Sequence, residues 1–267
     1  MKTKDAYFSE IESYKLLAKK EVGQNFLIDS SSAERIVGCL DIQEKDKVLE
    51  IGCGAGSLTF FLEEQKANGD AIDIDEGLLL KLKNDFPDGN LNITHGNAMK
   101  WDYSSYTKIV GNLPYYITSG IVEKVLLGSE KAERLVIMVQ KEAGERLLAG
   151  VGSKDYGPLN VLLSLSGKLT REFKVARSGF APAPHVDSVV LCLDFYPNRD
   201  LEELKKTYEL CSKLFLQRRK TIANNLKTVM KEQEKAGKIL LGSGVDGTKR
   251  PEQLTPEEYV SLRKASL

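Results

Sequence analysis

Asn112-Leu113-Pro114-Tyr115 sets an amide oxygen, a backbone carbonyl, a chain-fixing proline and an aromatic ring side by side. An exocyclic amine on a base is a double donor, and the Asn112 amide oxygen with the Leu113 carbonyl makes a matched pair of acceptors for it. Pro114 restricts the chain so that the carbonyl points outward, and the ring that follows can stack on a base. A plain strand exit would carry similar residues. The chemical content is nevertheless that of a site for methylating the amino group of adenine or cytosine.

The second constellation is Val48-Leu-Glu-Ile-Gly-Cys-Gly-Ala-Gly-Ser-Leu-Thr59, an apolar strand entering a glycine-rich turn and then a helix. Glycines there let the backbone approach a ligand and take positive φ. Gly52 and Gly54 open the usual dinucleotide pattern, but the third glycine, Gly56, comes early. About 20 residues on, a second strand ends at Asp73, whose carboxylate can accept from both hydroxyls of a ribose and disfavours a 2′-phosphate. S-adenosylmethionine suits this order of strand, turn, helix, strand and acid better than NAD.

The elements that must position these groups follow from the hydrophobic pattern. Strand-length and helix-length runs alternate through Val48–Ile51, Gly56–Gln65, Ala71–Ile74, Gly77–Phe86, Leu91–Thr94, Lys108–Val110, Ser119–Leu127 and Leu135–Val139. That alternation predicts a doubly wound α/β sheet. Arg171–Val175 and Val186–Phe195 are expected to pair antiparallel at one sheet edge, joined by a proline-rich connection too short for a crossover helix. After Tyr196-Pro197-Asn198 no strand-like run remains, so residues 1–198 are expected to form the α/β domain and 199–267 a small all-helical domain.

Composition narrows the function classes. The 267 residues are 42% hydrophobic and 28% charged, which fits a globular protein and excludes a rod or a disordered tail. No apolar run approaches the ~20 residues of a membrane span and the N-terminus lacks the apolar region of a signal peptide, so a cytoplasmic location without membrane attachment is expected. Cys39, Cys53, Cys192 and Cys211 are scattered and only two histidines accompany them, which argues for reduced structural thiols and no metal site. The 38 basic and 38 acidic residues balance, yet residues 199–267 hold 15 basic against 10 acidic, a weak sign of polyanion binding.

Taken together the motifs resemble the small-subunit ribosomal RNA adenine dimethyltransferase family from about Gly23 to the last helix. The resemblance rests on Gly23-Gln-Asn-Phe-Leu-Ile-Asp29, the glycine turn, Gly111-Asn-Leu-Pro-Tyr115, Gln140-Lys-Glu142, Ser153-Lys-Asp-Tyr-Gly157, Phe180-Ala-Pro-Ala-Pro-His-Val-Asp-Ser188 and Gln217-Arg-Arg-Lys-Thr221. It implies a Rossmann-like class I S-adenosylmethionine-dependent methyltransferase domain with a small C-terminal all-helical domain. The implied reaction converts two adjacent adenosines near the 3′ end of small-subunit (16S) rRNA to N6,N6-dimethyladenosine. The implied partner is a pre-30S particle, engaged by a monomer with a role in small-subunit biogenesis.

Residue by residue, the resemblance implies that a segment over about 1–30 covers the cofactor, with Gln24, Asn25 and Leu27 lining its methionine end. It implies that Gly52 and Gly54 contact it by backbone, Asp73 its ribose, Asn97 and Ala98 its adenine, and Asn112 its reacting end. Asn112, Leu113, Pro114, Tyr115 and Phe180 would form the catalytic set, Tyr115 and Phe180 sandwiching a flipped base. Arg218, Arg219 and Lys220, expected at a helix start, would meet rRNA phosphates. Three features depart from the family: Asn97 where an aspartate is usual, Val22 where an aromatic is usual, and the neutral overall charge. An Erm-type enzyme acting on large-subunit rRNA shares the Asn-x-Pro-Tyr loop and is one alternative, and a non-catalytic ribosome-assembly factor is another. Leu113 and the Gln217–Thr221 run favour the small-subunit enzyme, and intact Gly52, Asp73, Asn112 and Tyr115 favour catalysis.

Overall fold

The computed structural model describes residues 2–14, 24–114 and 116–266. By its internal contacts the chain forms two compact units, 1–144 with 169–197, and 145–168 with 198–267.

In the first unit, helix α1 (Lys4–Ser13), the short strand β1 (Phe26–Leu27) and helix α2 (Ser30–Gly38) precede the main sheet. Then follow β2 (Lys47–Ile51), α3 (Ser57–Glu64), β3 (Asn68–Asp73), α4 (Glu76–Asp85), β4 (Leu91–His95), β5 (Lys108–Asn112), α5 (Thr118–Gly128) and β6 (Arg134–Gln140). Helix α6 (Lys141–Leu147) runs into residues of the second unit, which also takes α7 (Pro158–Ser166), and the chain returns to the first unit with β7 (Gly167–Val175), β8 (Phe180–Ala181) and β9 (Ser188–Phe195). The seven-stranded sheet has the order β4-β3-β2-β5-β6-β9-β7. β2 is parallel to β3 and β5, β3 to β4, and β5 to β6, while β9 runs antiparallel to β6. The strand order reverses at β2, so the carboxyl ends of β2, β3 and β5 flank a crevice of the kind where doubly wound sheets bind ligands.

Burial explains the near-continuous apolar strands. Leu49, Val110 and Val136 have no exposed surface, as expected for a sheet covered on both faces. The proline-rich connection between β7 and β9 is more than a loop: its Phe180–Ala181 pairs antiparallel with Phe26–Leu27, and the Gly179 carbonyl accepts from the Ile28 and Asp29 amides at 2.8 and 3.2 Å. Asp29 caps α2 by accepting from the Ser31 amide at 3.2 Å. Helix α1 buries Tyr7, whose ring lies 4.9 Å from that of Phe60 in α3.

In the second unit α8 (Leu201–Phe215), α9 (Ile222–Met230), α10 (Gln233–Ser243) and α11 (Pro256–Lys264) close around Leu210, Leu214, Ile222, Leu226 and Tyr259. Helix α9 ends at Lys231, whose φ is 58°. Residues 145–168, which the sequence pattern left with the α/β part, belong to this unit. The reason is apolar burial: Tyr156 and Val161 are part of the core that α8, α9 and α11 supply. Arg218, Arg219 and Lys220 occupy the turn before α9 rather than its first turn. No helix among the described residues is long and apolar enough to cross a membrane.

Candidate active site

A cavity of about 330 Å³ opens at the carboxyl ends of β2, β3 and β5. Its walls include Gln24, Asn25, Leu27, Gly52, Gly54, Asp73, Asn97, Ala98, Asn112, Leu113 and Pro114, so residues from five separate stretches of sequence converge there. Tyr115 and Gly23 lie outside the described residues, as does Val22.

The glycine turn is built by backbone geometry. Gly52, Gly54 and Gly56 have φ of 71°, 53° and 90°, a region that costs other L-residues roughly 1–2 kcal/mol. The Gly52 and Cys53 amides donate to the Ile72 carbonyl at 2.8 and 3.1 Å, tying the turn to β3. The early third glycine also has a packing role: a Cβ on Gly56 would lie 2.3 Å from Leu82 Cδ1 and from the Tyr7 hydroxyl. This position needs a glycine because α1 and α4 press on the start of α3.

Asp73, the last residue of β3, accepts from the Gly54 amide on Oδ2 and from the Asp75 amide on Oδ1, both at 2.9 Å. One backbone N–H on each oxygen fixes the carboxylate plane and leaves each oxygen a further acceptor site. Burial raises its pKa and those amides oppose the rise. Glu50, one residue before the end of β2, also lines the cavity and is 1% exposed. Burial pushes it up to about 8, although the Thr59 hydroxyl donates to it at 2.6 Å. Nothing in the sequence marks Glu50, which interrupts an apolar strand at an ordinary strand position.

Segment 24–27 forms one wall. The Leu27 carbonyl accepts from Ser57 Oγ at 2.6 Å, and Gln24 Nε2 donates to Asp75 Oδ2 at 3.3 Å. Asn112 Nδ2 donates to the Asn25 carbonyl at 3.5 Å. That contact spends a donor of the amide and leaves its oxygen as an acceptor. The Leu113 amide donates to the Met138 carbonyl at 3.1 Å, and the Pro114 carbonyl accepts from Thr118 Oγ1 at 3.0 Å, so the loop is held at both ends. Asn97 Oδ1 accepts from the Met99 amide at 2.9 Å, which occupies part of the acceptor capacity expected to face an adenine.

One expectation meets a different arrangement. Phe180 does not line the cavity; it is 3% exposed, sits in the core cluster and pairs with Leu27 across β1 and β8. Backbone pairing turns this ring inward, where burial outweighs access to a ligand. Tyr116, by contrast, lines the cavity and is 62% exposed. Only the adjacent Tyr115 was singled out from sequence, and the doubled tyrosine was the available signal.

In the other unit the basic turn is also divided. Arg218 donates through Nη1 to the Lys154 carbonyl at 2.6 Å and through Nη2 to the Ser153 carbonyl at 3.1 Å, and its Nε lies 3.5 Å from Glu252 Oε2. Its guanidinium is committed within the protein. Arg219 and Lys220 are exposed.

The electrostatics of the cavity limit its ligand. Two carboxyl groups line it, Glu50 and Asp73, and no lysine, arginine or histidine does so among the described residues. A pyrophosphate would meet no counter-charge, whereas a nucleoside bearing positive charge would be favoured by Asp73 and would itself favour ionisation of Glu50. S-adenosylmethionine, with its ribose, sulfonium and ammonium, fits that donor and acceptor set.

A family model described as ribosomal RNA adenine dimethylase matches residues 15–265. Ribosomal RNA small subunit methyltransferase A of Malacoplasma penetrans is 34% identical, with 98% of this chain and 96% of that protein covered. Among solved structures, a dimethyladenosine transferase from Plasmodium falciparum is similar with a TM-score of 0.76 and 27% identity, covering 89% of this chain and 95% of that one. The 23S rRNA methyltransferase ErmE is similar with a TM-score of 0.65 at 23% identity, covering 90% of this chain and 99% of that one, a likeness of fold. The fold is the Rossmann-like one of class I S-adenosylmethionine-dependent methyltransferases, joined to helices toward the C-terminus. With the glycine turn, Asp73 and Asn112 gathered on one cavity and the match running almost end to end, this chain belongs to the ribosomal RNA adenine dimethylase family.

Proposed function

We propose that this chain dimethylates N6 of two adjacent adenosines near the 3′ end of small-subunit rRNA, acting in the cytoplasm as a monomer on a pre-30S particle and contributing to small-subunit biogenesis. The observation that carries the reading is the convergence of Gly52, Gly54, Asp73 and Asn112 on one acidic cavity. The name of the Malacoplasma penetrans relative supports the choice of subunit.

Gln24, Asn25 and Leu27 hold the methionine end of the cofactor, Asp73 accepts from its ribose, and Asn97 with Ala98 borders its adenine. S-adenosylmethionine supplies an electrophilic methyl group on a sulfonium. Adenine N6 is a poor nucleophile because its lone pair is conjugated with the ring. Asn112 Oδ1 and the Leu113 carbonyl accept from its two N–H bonds and favour a pyramidal nitrogen, whose lone pair is then free to attack. The work of these residues is positioning and electrostatic stabilisation. Pro114 sets the carbonyl direction, and Tyr115 with the neighbouring Tyr116 offers rings for the base. Phe180 supports segment 24–27 from the core, and Arg219 and Lys220 meet rRNA phosphates.

The reading is tested by incubating the protein with labelled S-adenosylmethionine and either unmethylated small subunits or naked large-subunit rRNA, followed by mapping of the modified adenosines. Two adjacent dimethyladenosines in the small subunit are expected. A label confined to large-subunit rRNA would make the chain an Erm-type enzyme, and binding to the particle without label would make it an assembly factor.

A further inference from the structure

The motif Ser153-Lys-Asp-Tyr-Gly157 has no part in the cavity, yet the structure gives it an unusual anchor. It forms an exposed loop before α7, and both Ser153 and Lys154 use their carbonyls as acceptors for Arg218. The third leg of the bracket is Glu252, which faces Arg218 Nε and whose own carbonyl accepts from the Gly152 amide at 2.7 Å. Behind the loop, the Tyr156 hydroxyl donates to the Leu254 carbonyl at 3.2 Å. A planar guanidinium with its donors in fixed directions is suited to grip two carbonyls at once, which an ammonium cannot do in the same geometry.

The basic turn is held independently. Asn225, 1% exposed, donates through Nδ2 to the carbonyls of Gln217 and Lys220, each at 3.2 Å. Loop and turn are therefore two hydrogen-bonded pieces joined by Arg218. Lys154, Arg219 and Lys220 are exposed, as is Asp155 beside Lys154, and among the described residues no carboxylate forms an ion pair with any of the three cations. Leu216, 82% exposed, lies on the same turn. Three exposed cations on a hydrogen-bonded double loop suit a phosphate backbone.

We propose that Arg218 is a positioning residue, not a phosphate ligand, and that it fixes loop 152–156 so that Lys154 joins Arg219 and Lys220 in one phosphate-binding surface for rRNA. This rests on the reading that the basic turn meets rRNA.

The test measures binding of the full chain to unmethylated small subunits across a salt series, with loop protection followed by amide hydrogen exchange. Lys154→Ala is expected to weaken binding roughly three- to tenfold and to lower the salt slope by about one contact. Arg218→Lys keeps the charge but not the fork, so it is expected to increase exchange at 152–156 and to weaken binding nearly as much as Arg218→Ala. In the Arg218→Lys background, adding Lys154→Ala should have little further effect, while Arg219→Ala should cost the same as in the wild type. An unchanged salt slope in Lys154→Ala, wild-type binding by Arg218→Lys, or additive effects of the two would overturn the proposal. If Arg219→Ala with Lys220→Ala also left the slope unchanged, the underlying reading of the turn as an rRNA contact would fail instead.

Discussion

Glu50 and Asn112 show how single residues set the chemistry of the cavity. Glu50 is a carboxyl whose folded pKa is raised from 4.5 to about 8 by burial. The folded protein therefore holds a proton that the unfolded chain releases above about pH 4.5, and stability falls as pH rises through this window, by at most about 1.4 kcal/mol per unit. The penalty is absent below the lower value and complete above the upper one. Glu50→Gln should flatten this dependence, so that ligand-free urea unfolding at pH 8 shows a more stable protein than the wild type. A cation in the cavity favours ionised Glu50, and S-adenosylmethionine affinity of the wild type should rise from pH 6 to pH 8 while that of Glu50→Gln stays level, as calorimetry can measure. Asn112 acts differently. In the proposed mechanism its hydrogen bond to N6 strengthens as the nitrogen becomes pyramidal, so Asn112→Ala should lower single-turnover methylation at least a hundredfold, about 2.7 kcal/mol, with little loss of particle affinity. A wild-type rate in that variant would reduce the Asn-Leu-Pro-Tyr loop to scaffold.

Among the elements, the short pairing of β1 with β8 matters more to the site than its size suggests, because it presents one wall of the cavity. Leu27 faces the cavity and pairs with Phe180, while Ser57 at the start of α3 donates to the Leu27 carbonyl. Phe180→Ala removes a core side chain and should destabilise the protein by about 3–5 kcal/mol in denaturant unfolding. A base-stacking ring would show the opposite pattern, a raised apparent KM with stability unchanged. The α3 start gives a second test. Gly56→Ala combines a positive φ with a clash against Leu82 and Tyr7, and about 3 kcal/mol of destabilisation is expected from left-handed strain plus overpacking. Gly152 also has a positive φ, of 83°, but a Cβ there would meet nothing within 4 Å. Gly152→Ala should therefore cost only the strain, about 1–2 kcal/mol, and the difference between the two variants isolates the packing term.

At the scale of the whole molecule, the two compact units are interleaved in sequence. The second unit takes 145–168 as well as 198–267. A chain cut after Pro197 would keep α7 and its loop but lose the residues that cover Tyr156 and Val161, which are 2% and 0% exposed in the intact protein. Such a truncation is expected to bind an apolar dye and to sediment as aggregates, whereas a sharp monomer boundary would mean that 145–168 can be buried without the C-terminal helices. The charge distribution follows the same division: the C-terminal segment carries the excess of basic residues, and the ligand cavity of the first unit is acidic. One chain thus offers a cationic nucleoside and a polyanion surfaces of opposite sign.

The local patterns determined a great deal by themselves. The alternation from Val48 to Val139 specified a parallel doubly wound sheet because buried parallel strands need apolar residues on both faces. The positions of Gly52, Gly54, Asp73 and Asn112 at strand ends were legible because such sheets bind ligands at their carboxyl edge. What only the tertiary structure decided depends on partners distant in sequence. Glu50 reads as an ordinary strand residue until the cavity beside it and Thr59 are placed, since burial and not residue type moves its proton. Phe180 reads equally as a stacking ring or a core ring, and its pairing with Leu27 turns it inward. Arg218 reads as one of three equivalent cations, and its commitment to carbonyls 64 and 65 residues away leaves its two neighbours exposed. Periodicity and turn chemistry are properties of adjacent residues; desolvation and the satisfaction of buried donors are properties of whatever the fold brings alongside.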